Sequence, residues 1–98
     1  MDENNVFRVR VPSLLTEYVT WLDMGVSLIY LDAMSEDLID PPRGVADKKE
    51  IAVQLKGECL QKFLLLQKTF EMSNAKIIQL ALMRACKAIT GSVPALLD

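Results

Sequence analysis

Two arginines stand two residues apart in Val6-Phe7-Arg8-Val9-Arg10-Val11-Pro12. Each guanidinium is permanently charged and presents a planar fork of donors. Side chains alternate along an extended strand, so Arg8 and Arg10 share one face while Phe7, Val9 and Val11 share the other. The whole chain is acidic, with a net charge of −2. A short strand that aims two cations out of one face therefore raises the question of what they meet. Solvent is the plainest answer, since the open side of a two-stranded sheet needs polar residues.

Other reactive chemistries find no footing. The 98 residues include no histidine to serve as base or metal ligand, and Cys59 and Cys86 lack metal-type spacing. We read both as buried free thiols. No serine or cysteine lies in a nucleophile motif and no glycine-rich loop is present to cradle a nucleotide, so we expect no enzyme, no cofactor and no small-molecule substrate. No apolar run approaches the roughly 20 residues of a membrane span, and the MDENN start is the reverse of a basic signal sequence. The expected location is cytoplasmic, with no membrane partner. Charge is unevenly divided. Residues 1–48 carry four basic and nine acidic side chains, a balance of −5, whereas residues 49–98 carry seven and four, a balance of +3.

The elements that must position these groups follow from periodicity. After the first strand Pro12 ends the ladder, and from Ser13 the apolar residues Leu15, Val19 and Leu22 recur at helical spacing. Met24-Gly25-Val26-Ser27 reads as a break, with Gly25 as a left-handed cap and Ser27 as the next N-cap. A second helix, LIYLDAMSEDLID, is expected to be apolar at Leu28, Leu31, Met34 and Leu38 and acidic opposite. Asp40-Pro41-Pro42-Arg43-Gly44 halts it, and residues 40–47 read as a linker. Then the order repeats. Ile51, Val53 and Leu55 alternate with polar neighbours in a second strand, and GECLQKFLLLQKTFE has a stripe of Cys59, Phe63, Leu66 and Phe70, widened by Leu60 and Leu64. Ser73 reads as the N-cap of a last helix that closes at Gly91, with Met72 and Ile77 at the positions of a hydrophobic staple and Lys87 near its negative end. A half of about 40 residues cannot bury enough surface by itself, so each half needs a partner.

The segment Lys48 to Lys87, KKEIAVQLKGECLQKFLLLQKTFEMSNAKIIQLALMRACK, closely resembles the ribbon-helix-helix superfamily of Arc, MetJ and CopG repressors. VFRVRVPSLLTEYVTWL followed by MGVS resembles the same motif more loosely. The resemblance implies a mainly α fold with a two-stranded antiparallel β-ribbon, in which residues 6–39 form a degenerate first motif and 48–91 a second. One chain would supply both halves of what is usually a dimer, as in tandem members of the superfamily. It also implies a small sequence-specific protein that inserts its ribbon into the major groove of double-stranded DNA, as transcriptional regulator or DNA-processing accessory factor, and so associates with the nucleoid. Phe7, Val9, Val11, Ile51, Val53 and Leu55 would face the core. Arg8, Arg10, Ala52 and Gln54 would face base edges, where arginine suits guanine, glutamine suits adenine and alanine can meet only a thymine methyl. Phosphates would be held at the starts of the second helices, by Ser27 with Leu28 and by Ser73 with Asn74 and Ala75, with Lys76 adding charge. Glu50 on the reading face and Glu71 in place of the turn glycine depart from the pattern.

Bland readings stand beside these. Arg8, Arg10 and Gln54 serve equally as a solvated face, and Ser27 and Ser73 as plain N-caps. The acidic helix 27–39 is a solvated surface or a dock for a protein partner, and the Leu64-Leu65-Leu66 run reads as core at a helix pair, with Leu65 expected to face elsewhere as a candidate contact between molecules. The alternative function is a protein-interaction module that has kept the fold and lost DNA binding, supported by net acidity, Glu50, Ala52 and Glu71. Pairing of strands within one chain or between two, and a homodimer, are left open by the sequence.

Overall fold

The computed structural model describes residues 5–39 and 47–93. The polypeptide is mainly helical with one two-stranded sheet. In chain order it forms β1 (Asn5–Pro12), a 3-10 helix (Ser13–Trp21), α1 (Leu22–Met34), β2 (Lys48–Leu55), α2 (Gly57–Phe70) and α3 (Asn74–Thr90). The expected linker falls on residues 40–46, outside the described residues, apart from Asp47.

The two strands pair antiparallel within the one chain, from Asn5 opposite Leu55 to Pro12 opposite Lys48. An isolated pair of strands is marginal in water, so this one is held by what lies beneath it. Val9, Val11, Val53 and Leu55 are buried on its inner face, as the alternation requires, and Phe7 and Ile51 pack partly buried against the same core. The Phe7 ring meets Phe63 of α2 with centroids 4.7 Å apart and planes tilted by 46°. Phe63, Leu66, Ile77, Ile78, Leu80 and Leu82 are fully enclosed.

α3 is the central support, packing against α1, the 3-10 helix and β1. Its start is the one the sequence announces. Ser73 caps it by accepting a hydrogen bond from the Lys76 N–H at 3.2 Å, and Met72 and Ile77, at the staple positions, are both buried. Its end is also as expected, at Gly91, whose N–H donates to the Lys87 carbonyl.

The first half departs from expectation. Ser13 opens a nine-residue 3-10 helix that passes straight into α1, so the expected break at Met24–Ser27 does not exist. Runs of 3-10 helix beyond three or four residues are uncommon. Thr16, Val19 and Thr20, β-branched and weak α-formers, help explain the tighter winding here. Gly25 lies inside α1, where a Cβ would come within 2.1 Å of the Ala81 carbonyl oxygen of α3. The glycine is there because two helices touch backbone to backbone, and no cap is involved.

The buried stripe of α1 is Leu22, Val26, Ile29 and Ala33, spaced four, three and four. The expected stripe is only partly buried: Leu28 and Leu38 are intermediate, while Leu31 and Met34 are about 60% exposed. α1 stops at Met34 rather than continuing to residue 39, because the chain turns at Glu36, which holds φ of 57°. The Glu36 N–H donates to the Ala33 carbonyl and the Asp37 N–H to the Asp32 carbonyl at 2.7 Å, a Schellman closure with glutamate in the left-handed position. α2 buries Cys59, Phe63 and Leu66 as expected and leaves Leu65 exposed, but Leu64 is exposed too and does not widen the stripe. Among the described residues no helix is long and apolar enough to cross a membrane.

Candidate functional site

The outer face of the ribbon carries three cross-strand rows exposed on both strands, followed by Pro12 opposite Lys48 at the strand ends. Val6 stands opposite Gln54, Arg8 opposite Ala52, and Arg10 opposite Glu50. All six residues are exposed. The alternation that buries Val9, Val11, Val53 and Leu55 forces this result, since a slip of one residue would exchange the two faces. The four residues expected to face a partner, Arg8, Arg10, Ala52 and Gln54, are thus brought together on one surface. Sequence reasoning omitted two others of this parity, Val6 and Lys48; Lys49 is exposed beside Lys48 at the strand start but stands opposite the buried Val11 and has the other parity. With them the strands Asn5–Pro12 and Lys48–Leu55 carry four cations against the single carboxylate of Glu50. The acidic chain therefore concentrates positive charge on its ribbon, and charge so placed favours anions over cations at that surface.

The two expected phosphate sites differ. At the start of α3, Ser73 is the N-cap and Asn74 and Ala75 are the first two helical residues, so their N–H groups lack intrahelical acceptors. Asn74 is fixed by a side-chain hydrogen bond in which Gln67 Nε2 donates to its Oδ1. Lys76 is exposed beside them. The end of the preceding helix reaches this point through Glu71, held at φ 54° and ψ 44°. The left-handed turn that a glycine would make is therefore made by glutamate.

Ser27 and Leu28 do not form a comparable site. They lie in the interior of α1, where backbone N–H groups bond to carbonyls four residues earlier. Ser27 caps nothing. Its hydroxyl instead accepts from Lys62 Nζ of α2 at 3.3 Å. Asp23, one turn earlier, lies close enough to Cys59 of α2 to perturb its thiol, so polar groups line the approach of α1 to α2.

The same surroundings dispose of one nucleophile. Burial, together with the nearby Asp23, pushes the Cys59 thiol up to about 12, against a weaker opposing pull from Lys62. A thiol held protonated is a poor nucleophile. Cys86 is also buried and free. The acidic helix is tied into the fold by Asp32, which pairs with Arg84 of α3 at 2.9 Å, both side chains about one-fifth exposed. Asp32 thus has a structural role, while Glu36 and Asp37 are exposed past the end of α1.

No protein family, no curated protein and no solved structure matches this chain.

Proposed function

We propose that the chain is a ribbon-helix-helix-like protein, its first half carrying one continuous helix in place of the usual helical pair, that binds double-stranded DNA by laying the outer face of its ribbon in the major groove. The observation that carries this reading is the ribbon itself. Arg8, Arg10 and Gln54 project from one exposed antiparallel surface that Lys48 extends, with Lys49 exposed beside it at the start of β2. A two-stranded ribbon fits a major groove about 12 Å wide, and arginine and glutamine are the side chains that bond bidentately to guanine and adenine there. Lys48, Lys49 and the free N–H groups at the start of α3 suit phosphates, which position a protein without conferring sequence preference. Such a protein serves as a transcriptional regulator or as an accessory factor in DNA processing. Because one chain supplies both strands, its site would be asymmetric.

The test replaces both arginines. Arg8→Ala with Arg10→Ala should keep the fold, since both side chains point away from the core. It should weaken binding to a duplex selected from a random library by about 2 to 6 kcal/mol, at about 1 to 3 for each bidentate contact. Fluorescence anisotropy across a salt series measures this, and parent affinity should fall steadily as salt rises. A double variant that binds as tightly as the parent would sink the reading.

A second reading, a protein-interaction module without DNA binding, draws on Glu50 in the reading face and on the exposed Leu31 and Met34 of α1. Absence of any parent binding to random duplex at low salt would favour it.

A further inference from the structure

We propose that Arg10 and Glu50 act together as one reading unit for a single G·C base pair, an inference that rests on the DNA-binding reading above. The register sets them directly opposite each other on the outer face, and both are exposed. Opposed residues of an antiparallel pair have Cα atoms about 4.5 to 5.5 Å apart. Their side chains therefore leave the ribbon side by side.

The chemistry of the row is complementary to one kind of base pair. In the major groove guanine shows two acceptors, O6 and N7, and its cytosine shows one donor, the N4 amino group. The Arg10 guanidinium has only donors and the ionised Glu50 carboxylate only acceptors. Arg10 takes the guanine, and Glu50 accepts from the cytosine amino group. The other two rows lack this complement, because Arg8 faces a methyl group at Ala52 and Val6 faces Gln54. Glu50 also explains itself better here than as a phosphate-facing residue, since its charge repels the backbone. Against guanine or thymine the carboxylate meets only acceptors or a methyl group and disfavours binding; against adenine, whose N6 amino group also donates, the discrimination falls to Arg10, which then faces thymine in place of the guanine O6 and N7. Lys48 and Lys49 on the same strand offset the charge that Glu50 removes from the ribbon.

The experiment compares the parent with Glu50→Gln and Arg10→Ala, each by selection from a random duplex library followed by anisotropy on single-base variants of the selected site. Thermal melts establish that these surface variants fold like the parent. The parent should demand a G·C pair in one orientation at one position. Glu50→Gln should lose roughly ten-fold of the preference at that position alone, retain the other positions, and bind random duplex more tightly. Arg10→Ala should lose preference at the same position. If the parent is sequence-specific and Glu50→Gln shows an unchanged preference at every position, Arg10 and Glu50 are opposed surface residues with no joint role. The unit then fails while DNA binding stands. If the parent binds no duplex at low salt, both the unit and the DNA-binding reading fall.

Discussion

The two halves of the chain solve one packing problem by different means. In the second half, α2 ends at a left-handed glutamate, the chain turns, and Ser73 caps α3. In the first half there is no turn, and the 3-10 helix flows into α1. Rise per residue explains how both reach across the core. Nine residues of 3-10 helix at about 2.0 Å each span about 18 Å. The fourteen residues of α2 at about 1.5 Å each span about 21 Å. The first half covers nearly the same distance with fewer residues by winding more tightly. The glycine that looks like a turn is released from that duty and spent on a close helix crossing. Similar element order in two segments does not mean that similar residues perform the same tasks.

The sharpest way to break this comparison is Gly25→Ala. A turn glycine would tolerate it with a modest penalty. A methyl group 2.1 Å from the Ala81 carbonyl oxygen cannot be relieved by a rotamer change, because both sides of the contact are backbone. Overpacking of this kind costs about 3 kcal/mol, against about 1 gained in helix propensity. We expect a net loss of about 2 kcal/mol or more by urea denaturation, and an unchanged midpoint would place Gly25 elsewhere.

Glu71→Gly probes the corresponding place in the second half and should act in the opposite direction. It removes a left-handed strain of about 1 to 2 kcal/mol and adds unfolded-state entropy worth roughly 0.4 to 1. A gain of about 0.5 to 1 kcal/mol in the same assay is the expected outcome.

The two serines give a smaller contrast. Ser73→Ala deletes a cap and should cost about 1 kcal/mol. Ser27→Ala loses one hydrogen bond from Lys62 but gains helix propensity, so it should stay within about 0.5 kcal/mol of the parent. Equal costs would restore Ser27 as a cap.

The last contrast belongs to Cys59, leaves stability near neutral pH untouched and appears only at high pH. Its pKa is raised from 9.0 to about 12 in the folded chain, so above pH 9 the unfolded chain releases a proton that the folded chain keeps. Stability from this group is complete below pH 9 and is lost as pH rises toward 12. The parent should therefore lose stability more steeply than Cys59→Ala across that interval, measured by urea midpoints at stepped pH. Parallel slopes would show that the thiol is not held protonated.

What was legible in the sequence follows the strength of each pattern. β1, β2 and the capped, amphipathic α3 were readable because period two, a serine cap and a closing glycine each have few competing interpretations. The outer face of the ribbon follows from the same parity, which also places Val6 and Lys48 on it although neither belongs to the alternating Arg and Gln pattern. α1 was misread because LDMGVSLIYLDAM is apolar nearly all round, so a stripe through Leu28, Leu31 and Met34 suits helical spacing as well as the true one through Leu22, Val26, Ile29 and Ala33. Gly25 was misread because a close approach of another helix leaves no local trace. Only the position of Ala81, far along the chain, distinguishes the two roles.

The cross-strand register also governs when this protein can fold. Phe7 finds Val53, and Gly25 finds Ala81, only after most of the chain has been made. Contacts of such long range carry a loop-closure cost before they return any stability. During synthesis the first half emerges with Val9, Val11, Val26 and Ile29 uncovered and must wait for β2 and α3 to reach it. The second half completes the first, since β2 and α3, which cover β1 and α1, both lie after them in the chain.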